Sequence, residues 1–588
     1  MAKKKVLLAY KLFSAMLSLL FHARKPSPSS SLSSRPPPMA AAAPPPGASP
    51  SPVVHRGAPP PSALAAGQTL VLDVDAALLR SSSGTAGAAA VDGLFPYFML
   101  VALEAGGYLR GLALLLLYPL LRLLRRGAAV RAMAAVSFCG LRAARFRAGR
   151  AVLPKWLMDD VAAEAFAAAR DAAAAGGCRV VCASAMPRVM VDAFLREYLE
   201  MEAVAAPEMK VLWGFYTGAM AAAGEEEQQQ HLAAAVMAAP EEEEEKEKNV
   251  VVGFAGSEEF LQHPLSRCCK EIFVVSSDEK SRWRALPRDK YPQPVVFHDG
   301  RMAFRPTAAA TLAMFLWLPA GAALGAARLA VALTVPYRYS TPILAATGMS
   351  WRLAGTPLPS SSSSGAGHGR RRRGQLFACN HRTLIDPVYV SVALDRPVRA
   401  VSYSLSRLSE LISPIGRTVR LTRDRAGDGA AMARLLDAGD LVVVCPEGTT
   451  CREPYLLRFS PLFAELSDDV VPVGIAVDTA MFYATTAGGL KCFDPLYYMA
   501  NPRMCYTVQF LEKVDTSAAR SGAAPSTDVA NLVQRKMGEA LGYGCTMLTR
   551  KDKYLMLAGN DGVVGAKSAA AVGKKRNNSD KLSAEKNN

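Results

Sequence analysis

The sequence predicts an α/β protein of two domains with membrane-associated helices. Three observations predict it. At 588 residues the chain is longer than one hydrophobic core organises. Short apolar runs ending in polar, turn-forming residues occur in both halves: QTLVLDVD at 68–75, QLFACNH at 375–381 and LVVVCPEGTT at 441–450. That is the pattern of buried strands delivering side chains to a sheet edge. Finally, the stretches 95–126 and 306–327 are apolar over lengths that suit a bilayer surface or core.

Charge narrows the class. The net charge is +17 and the sequence pI about 9.4. No zinc spacing or nucleic-acid-binding signature accompanies the basic runs, so no nucleic acid partner is expected. Attraction to anionic headgroups of membrane lipids and to acidic substrates fits the excess instead. Eleven cysteines, an odd number without a Cys-x-x-Cys pair, fit a reduced, cytosol-facing protein.

In chain order, residues 1–25 combine Lys3, Lys4 and Lys5 with an apolar run. They are an anchor, an interfacial helix or part of a transit peptide. Residues 26–67, rich in Pro, Ser and Ala, are expected to be a disordered linker. The first domain is assigned to 68–300. There Asp73 and Asp75 end an apolar strand, and CRVVCASAMPRVM (178–190) offers Ser184 or Cys182 after a second one. Within this domain, 95–126 is interrupted by Glu104 and Arg110, so it is expected as an interfacial helix or re-entrant hairpin. The acidic run at 224–248 is expected to be a solvated loop. Residues 301–345 are a transmembrane or hairpin segment, since 306–327 holds 22 residues without a charge, with Pro319 a kink point and Arg328 at one end. The second domain is assigned to 346–555, with a flexible Ser/Gly/Arg insertion at 361–374. It also carries a late strand at 506–511, a helix at 529–543 and, beyond it, a disordered basic tail over 556–588.

The chemistry concentrates at 375–391. Gln375 to Cys379 reads as a buried strand, and Asp386-Pro387 as the N-cap and first residue of a helix. His381 then sits in the turn between them, near a carboxylate. A histidine steadied that way presents its other nitrogen as a general base; a turn histidine satisfied by a neighbour is the bland alternative. The run 441–450 places Glu447, Gly448 and Thr449 in a turn at the end of another strand, where open α/β sheets bind ligands. Between the two runs, Arg417, Arg420, Arg423 and Arg425 supply donors suited to a phosphate.

On these blocks the chain resembles the glycerolipid acyltransferases, and among them the land-plant membrane-bound glycerol-3-phosphate acyltransferases. His381 and Asp386 in NHRTLID match the family's His-x4-Asp block, and Arg423 the arginine of its second block. Glu447, Gly448 and Thr449 match its Pro-Glu-Gly-Thr block, and Pro472 its fourth. The resemblance implies a C-terminal glycerolipid-acyltransferase α/β domain that moves an acyl group from acyl-CoA to a hydroxyl of glycerol 3-phosphate. His381 and Asp386 would be catalytic. Arg423, Arg425, Glu447, Gly448, Thr449 and Pro472 would bind substrate, with no metal and no cofactor beyond acyl-CoA as co-substrate. It further implies sn-2 acylation, lysophosphatidic acid as product and an endoplasmic-reticulum membrane, with an organelle reached by a transit peptide as the alternative. The Asp73-x-Asp75 loop resembles that of haloacid-dehalogenase-type phosphatases, implying an N-terminal haloacid-dehalogenase-like α/β domain. Its site is degenerate: Asp73, Asp75 and Ser184 remain, but GFAGSEEFLQHPL (253–265) has Glu258 and Glu259 where spaced aspartates should hold magnesium. A lysophospholipid acyltransferase and a non-catalytic membrane scaffold are the competing functional readings.

Overall fold

The computed structural model describes residues 52–57, 68–82, 88–174, 178–221, 250–355, 373–402, 418–422, 424–488 and 493–560. The expectations for 1–25, for 224–248 and for nearly all of 361–374 lie outside these residues, as do Arg417 and Arg423. All the described residues belong to one compact unit.

The first sheet contains β1 (Val53–Arg56), β2 (Thr69–Asp73), β3 (Arg179–Ala183), β4 (Ala203–Ala205), β5 (Val251–Ala255) and β6 (Glu271–Val274). Its order is β1-β6-β5-β2-β3-β4, parallel throughout. Strands β2 and β5 are buried at every position, as their unbroken apolar sequences require in a sheet covered on both faces. β1 corrects the linker expectation for 26–67: within that Pro-rich region, Val53–Arg56 pairs with Glu271–Val274 at the sheet edge.

The second sheet contains β7 (Met349–Ala354), β8 (Leu376–Cys379), β9 (Arg399–Ser402), β10 (Thr418–Arg420), β11 (Val442–Val444), β12 (Asp469–Thr479) and β13 (Met504–Phe510). Its order is β10-β9-β11-β8-β12-β13-β7, parallel except where β12 meets β13. Central β8 lies between β11 and β12. Leu376 is level with Val442 and Ala378 with Val444, so the chain leaves β8 and β11 at the same edge and in step.

The stretch 95–126, expected as an interfacial helix or re-entrant hairpin, falls in helices α1 (Ala88–Gly106) and α2 (Tyr108–Leu121) and the start of α3 (Arg126–Phe138). Gly107, at φ +89°, breaks the run where a side chain would be strained. Phe95, Tyr97, Phe98 and Leu100 of α1 are core, whereas Leu109, Leu116 and Leu120 of α2 are exposed. Helix α4 (Ala308–Thr334) is the one described helix long and apolar enough to cross a membrane. Its Arg328 is not at an end but buried within it, donating from Nη1 to the Met499 and Asn501 carbonyls, each at 2.6 Å. Next come α5 (Tyr337–Ala346), α6 (Asp386–Leu394), α7 (Arg425–Asp437), α8 (Ser526–Leu541) and α9 (Arg550–Ala558). Helix α9 extends past residue 556, where a disordered tail was expected. Its Leu557 packs in the same apolar cluster as Leu70 and Phe95 of the N-terminal half, together with Cys451, Leu457 and Phe482 of the C-terminal half.

Candidate active site

The turn after β8 is built around one carboxylate. Asp386 is the first residue of α6 rather than its cap, which is Ile385, and it is fully buried. Its Oδ2 accepts from His381 Nδ1 at 3.0 Å and from Arg382 N at 2.7 Å; its Oδ1 accepts from Thr383 N at 3.0 Å and Thr383 Oγ1 at 2.9 Å. The carboxylate thus folds the turn and fixes the imidazole together. The Thr383 hydroxyl also bonds the Tyr506 hydroxyl, and Tyr506 stacks on Tyr389 with ring centroids 3.8 Å apart. Asn380 ties the turn to β12, donating to Ile475 O at 2.9 Å and accepting from Ile475 N at 2.7 Å.

Parallel register explains the second half of the site. The 66-residue offset that pairs Leu376 with Val442 also brings His381 level with Glu447, whose Oε1 accepts from His381 N at 2.6 Å and Oε2 from Leu457 N at 2.9 Å. Burial pushes the Glu447 carboxyl up to about 7. Glu447 therefore holds the loop that carries the histidine and is not itself on the cavity wall. Gly448, at φ +65°, turns the chain back, and Gly448 and Thr449 line the cavity. Pro472 corrects the expectation of a binding residue: it is buried in β12, level with Ala378, away from the cavity.

With Nδ1–H given to Asp386, the imidazole presents Nε2. It is 17 % exposed, at the wall of a cavity of about 470 Å³. Burial works against charge on this ring, but Cys445 and the Asp386 carboxylate hold it well above the usual histidine range. The Cys445 thiol is itself raised well above its ordinary range by the Cys379 sulfur 3.4 Å away and by burial. It stays neutral near pH 7, so the lasting pull on His381 is that of Asp386. Cys445, at the end of the apolar run of β11, lines the cavity beside the histidine. Arg425 lines the cavity too, and its Nη2 bonds Glu465 at 2.5 Å. Arg420 ends β10 with an exposed side chain outside the cavity lining.

Among the described residues, His381, Asp386 and Cys445 are the one group whose ligand atoms, within 4.8 Å of one another, could hold a metal ion. Histidine and aspartate there are already bonded to each other, and Asp386 to two backbone amides. A metal would have to dismantle the turn to bind. The dyad is suited instead to taking a proton from a hydroxyl in the cavity.

Sequence reasoning missed Arg550, Lys553 and Tyr554, which reach the same cavity from α9. No signature marks them, and only the capping box at its start, Thr549 with Asp552, announces that helix.

The other sequence-predicted site stands apart, at the end of β2. Asp73 caps the next turn by accepting from Ala76 N at 3.2 Å. Asp75 accepts from Ser184 Oγ at 2.5 Å and Ala185 N at 2.7 Å. The Arg126 guanidinium of α3 lies 3.2 Å from Asp75 and 3.4 Å from Glu259, so a cation of the chain itself already sits between these two carboxylates. Glu258 pairs with Arg56 at 2.7 Å. The Nζ of buried Lys280 makes no hydrogen bond, and burial pushes it down to about 8.

Comparison with known proteins agrees with this division. Residues 69–275 match the family model described as "Glycerol-3-phosphate acyltransferase RAM2-like, HAD-like domain", and residues 363–476 match the one described as "Acyltransferase". The chain is 47 % identical over 499 residues to "Probable glycerol-3-phosphate acyltransferase 3" of Arabidopsis thaliana, covering 84 % of this chain and 91 % of that one. "Glycerol-3-phosphate acyltransferase 1" of the same species is 41 % identical, with 84 % and 82 % covered. "Glycerol-3-phosphate acyltransferase RAM2" of Petunia hybrida is 39 % identical, with 82 % and 97 % covered. With a haloacid-dehalogenase-like domain joined to an acyltransferase domain, and such identity over most of its length, the chain is an enzyme that belongs to the glycerol-3-phosphate acyltransferase family.

Proposed function

We propose that the protein transfers an acyl group from acyl-CoA to the sn-2 hydroxyl of sn-glycerol 3-phosphate and releases lysophosphatidic acid. The observation that carries this reading is the His381–Asp386 pair opening into a cavity of about 470 Å³. His381 Nε2 takes the hydroxyl proton while Asp386 orients the ring and stabilises the imidazolium. The alkoxide oxygen adds to the thioester carbonyl; the carbon–sulfur bond then breaks, and the coenzyme A thiolate leaves with the proton from His381. A thioester is already activated, so no covalent acyl-enzyme is needed. Arg423, matched only by sequence, and Arg425 on the cavity wall serve the phosphate.

The N-terminal domain is read as structural. Arg126 between Asp75 and Glu259 supports this, since a site whose carboxylates are filled by a guanidinium has no room for magnesium. The phosphate then stays on the product.

The membrane reading rests on α4. A stripe of Thr311, Met314, Leu318, Gly321, Gly325, Arg328 and Ala332 is buried or half-buried along nearly all its length. Trp317 Nε1 also donates to Ala500 O at 2.8 Å. A helix held along one side by the protein body over ~32 Å, at ~1.5 Å per residue, suits the plane of a bilayer surface better than a crossing. Exposed Leu312, Leu316 and Leu333 of α4, with Leu109, Leu116 and Leu123 on and after α2, then enter lipid while exposed Arg122 and Arg125 meet anionic headgroups. The endoplasmic reticulum, with the catalytic domain in the cytosol, is the proposed location. The cysteines among the described residues are free, two of them with sulfurs 3.4 Å apart, which fits a reducing compartment.

The test is thiol release from acyl-CoA by purified protein with glycerol 3-phosphate or a lysophospholipid as acceptor, followed by positional analysis of the product. His381→Ala should lower turnover by ~10²–10⁴-fold. A variant keeping more than half the wild-type turnover refutes the assignment. Monoacylglycerol with free phosphate would refute the product.

A further inference from the structure

Helix α9 lies outside both family-matched segments, 69–275 and 363–476, yet it supplies part of the cavity wall. Arg550, Lys553 and Tyr554 all line the space into which His381 opens. Lys553 is 8 % exposed. Its Nζ donates to Thr449 Oγ1 at 3.3 Å, to Thr450 Oγ1 at 3.0 Å and to Thr450 O at 2.5 Å, oxygens of the turn that follows Glu447. An ammonium and a guanidinium side by side on a cavity wall are charge-assisted donors of the kind that phosphate sites use. The third cation on the cavity wall besides Lys553 and Arg550 is Arg425, and it is 58 % exposed and paired with Glu465.

The helix is held in place from the other domain. Leu557 sits in the N-terminal apolar cluster, and the Tyr198 hydroxyl lies 3.8 Å from Met556 Sδ. The capping box at Thr549 and Asp552 fixes the start of the helix, so Arg550 and Lys553, three residues apart, project from one side.

We propose that α9 is the phosphate-recognition wall of the acyltransferase site. Lys553, with Arg550, holds the phosphate of the acyl acceptor, and Lys553 also sets the Thr449 and Thr450 hydroxyls toward it. This rests on the reading of the acceptor as glycerol 3-phosphate. It assigns that recognition to a helix anchored in the haloacid-dehalogenase-like domain, not solely to the arginines after β10.

The test uses the full-length protein with Lys553→Met, Lys553→Arg and Arg550→Gln, measuring KM for glycerol 3-phosphate and for acyl-CoA separately. The Met variant should raise the acceptor KM tenfold or more and leave the acyl-CoA KM within twofold. The Arg variant should recover most of that loss, and inorganic phosphate should inhibit the Met variant more weakly than wild type. An acceptor KM within twofold of wild type in Lys553→Met, or both KM values rising together, overturns the proposal and leaves the lysine as a prop for the turn. If Lys553→Met fails to fold, Arg550→Gln decides, with a raised acceptor KM supporting the proposal and an unchanged one overturning it. Wild-type protein that releases no thiol with glycerol 3-phosphate fails a different claim, the identity of the acceptor, and takes this inference with it.

Discussion

Asp386→Asn separates the charge of the buried carboxylate from its shape. His381 Nδ1–H, the Arg382 and Thr383 amides and the Thr383 hydroxyl all donate to it. A carboxamide with oxygen in the Oδ2 position keeps His381 and Arg382. Its amino group then meets Thr383 Oγ1, which can accept while turning its own proton toward Tyr506. The Thr383 amide keeps the Oδ2 position at 3.0 Å. The fold should therefore lose only about 1 kcal/mol. Catalysis should lose more. An imidazolium and a carboxylate ~4 Å apart attract by roughly 4 kcal/mol at an effective dielectric of about 20, which at ~1.36 kcal/mol per decade is close to three decades of rate. The same charge sets the pH profile. Held well above the usual range, wild-type His381 is protonated and inactive as a base at low pH, and turnover rises as pH passes its raised pKa. Without the carboxylate the neutral ring is easier to form, so the rising limb moves to lower pH. The measurement is kcat for thiol release across pH, with thermal melts alongside. A variant within threefold of wild type, with its limb unmoved, would refute the dyad.

Two further outcomes are expected. Lys280→Met removes a buried ammonium whose pKa falls from the ordinary ~10.4 to about 8. The charged form is the one penalised, so the penalty of about 3 kcal/mol is full below pH 8 and fades as pH rises toward ~10.4. The variant should be more stable than wild type by that amount at pH 7 and by under about 1 kcal/mol at pH 10 in urea melts, and equal destabilisation at both pH values would contradict the burial argument. Leu116→Ser with Leu316→Ser trims two leucines that are 72 % and 73 % exposed. At ~1 kcal/mol or more each for partial insertion, binding to vesicles carrying anionic lipid should fall at least tenfold in flotation assays. Unchanged flotation would remove these faces from the membrane contact.

What the sequence discloses about the site is what local chemistry discloses. A buried strand needs an unbroken apolar run, and the residues at its exit announce a turn, so His381, Asp386, Glu447, Gly448 and Thr449 were visible. Their meeting depends on register, which no single run carries: only the common offset of 66 residues between β8 and β11 brings His381 N to Glu447. Residues that act across the sheet were invisible for the same reason. Tyr506 meets Thr383 because β13 pairs antiparallel with β12, and nothing near position 506 points to position 383. Pro472 shows the converse, since a residue matched by motif has its place in β12, level with Ala378, and is not among the residues lining the cavity. The edge strand β1 was lost because its four residues lie within Pro-rich sequence and are ordered only by Glu271–Val274.

The same limit applies to the N-terminal domain, of which the sequence discloses only a degenerate site. Judged by its own motifs it is an eroded phosphatase, but its contacts reach the catalytic turn. Glu453, four residues past Thr449, is 3.1 Å from Lys155, 3.3 Å from Arg288 and 2.9 Å from His298. On the other side, Arg382 Nη1 donates to the Glu453 carbonyl at 2.6 Å, and Arg382 is the residue after His381. A buried carboxylate among three basic groups is costly to break from either side. Together with α9 it makes the N-terminal domain part of the frame that holds His381, Thr449 and Lys553 around one cavity. Erosion of the phosphatase carboxylates leaves that frame untouched, because it is built from Lys155, His298, Tyr198 and Leu557 and not from Asp73 or Asp75. The packing of this domain is thus tied to its neighbour's site through groups that belong to none of its own motifs.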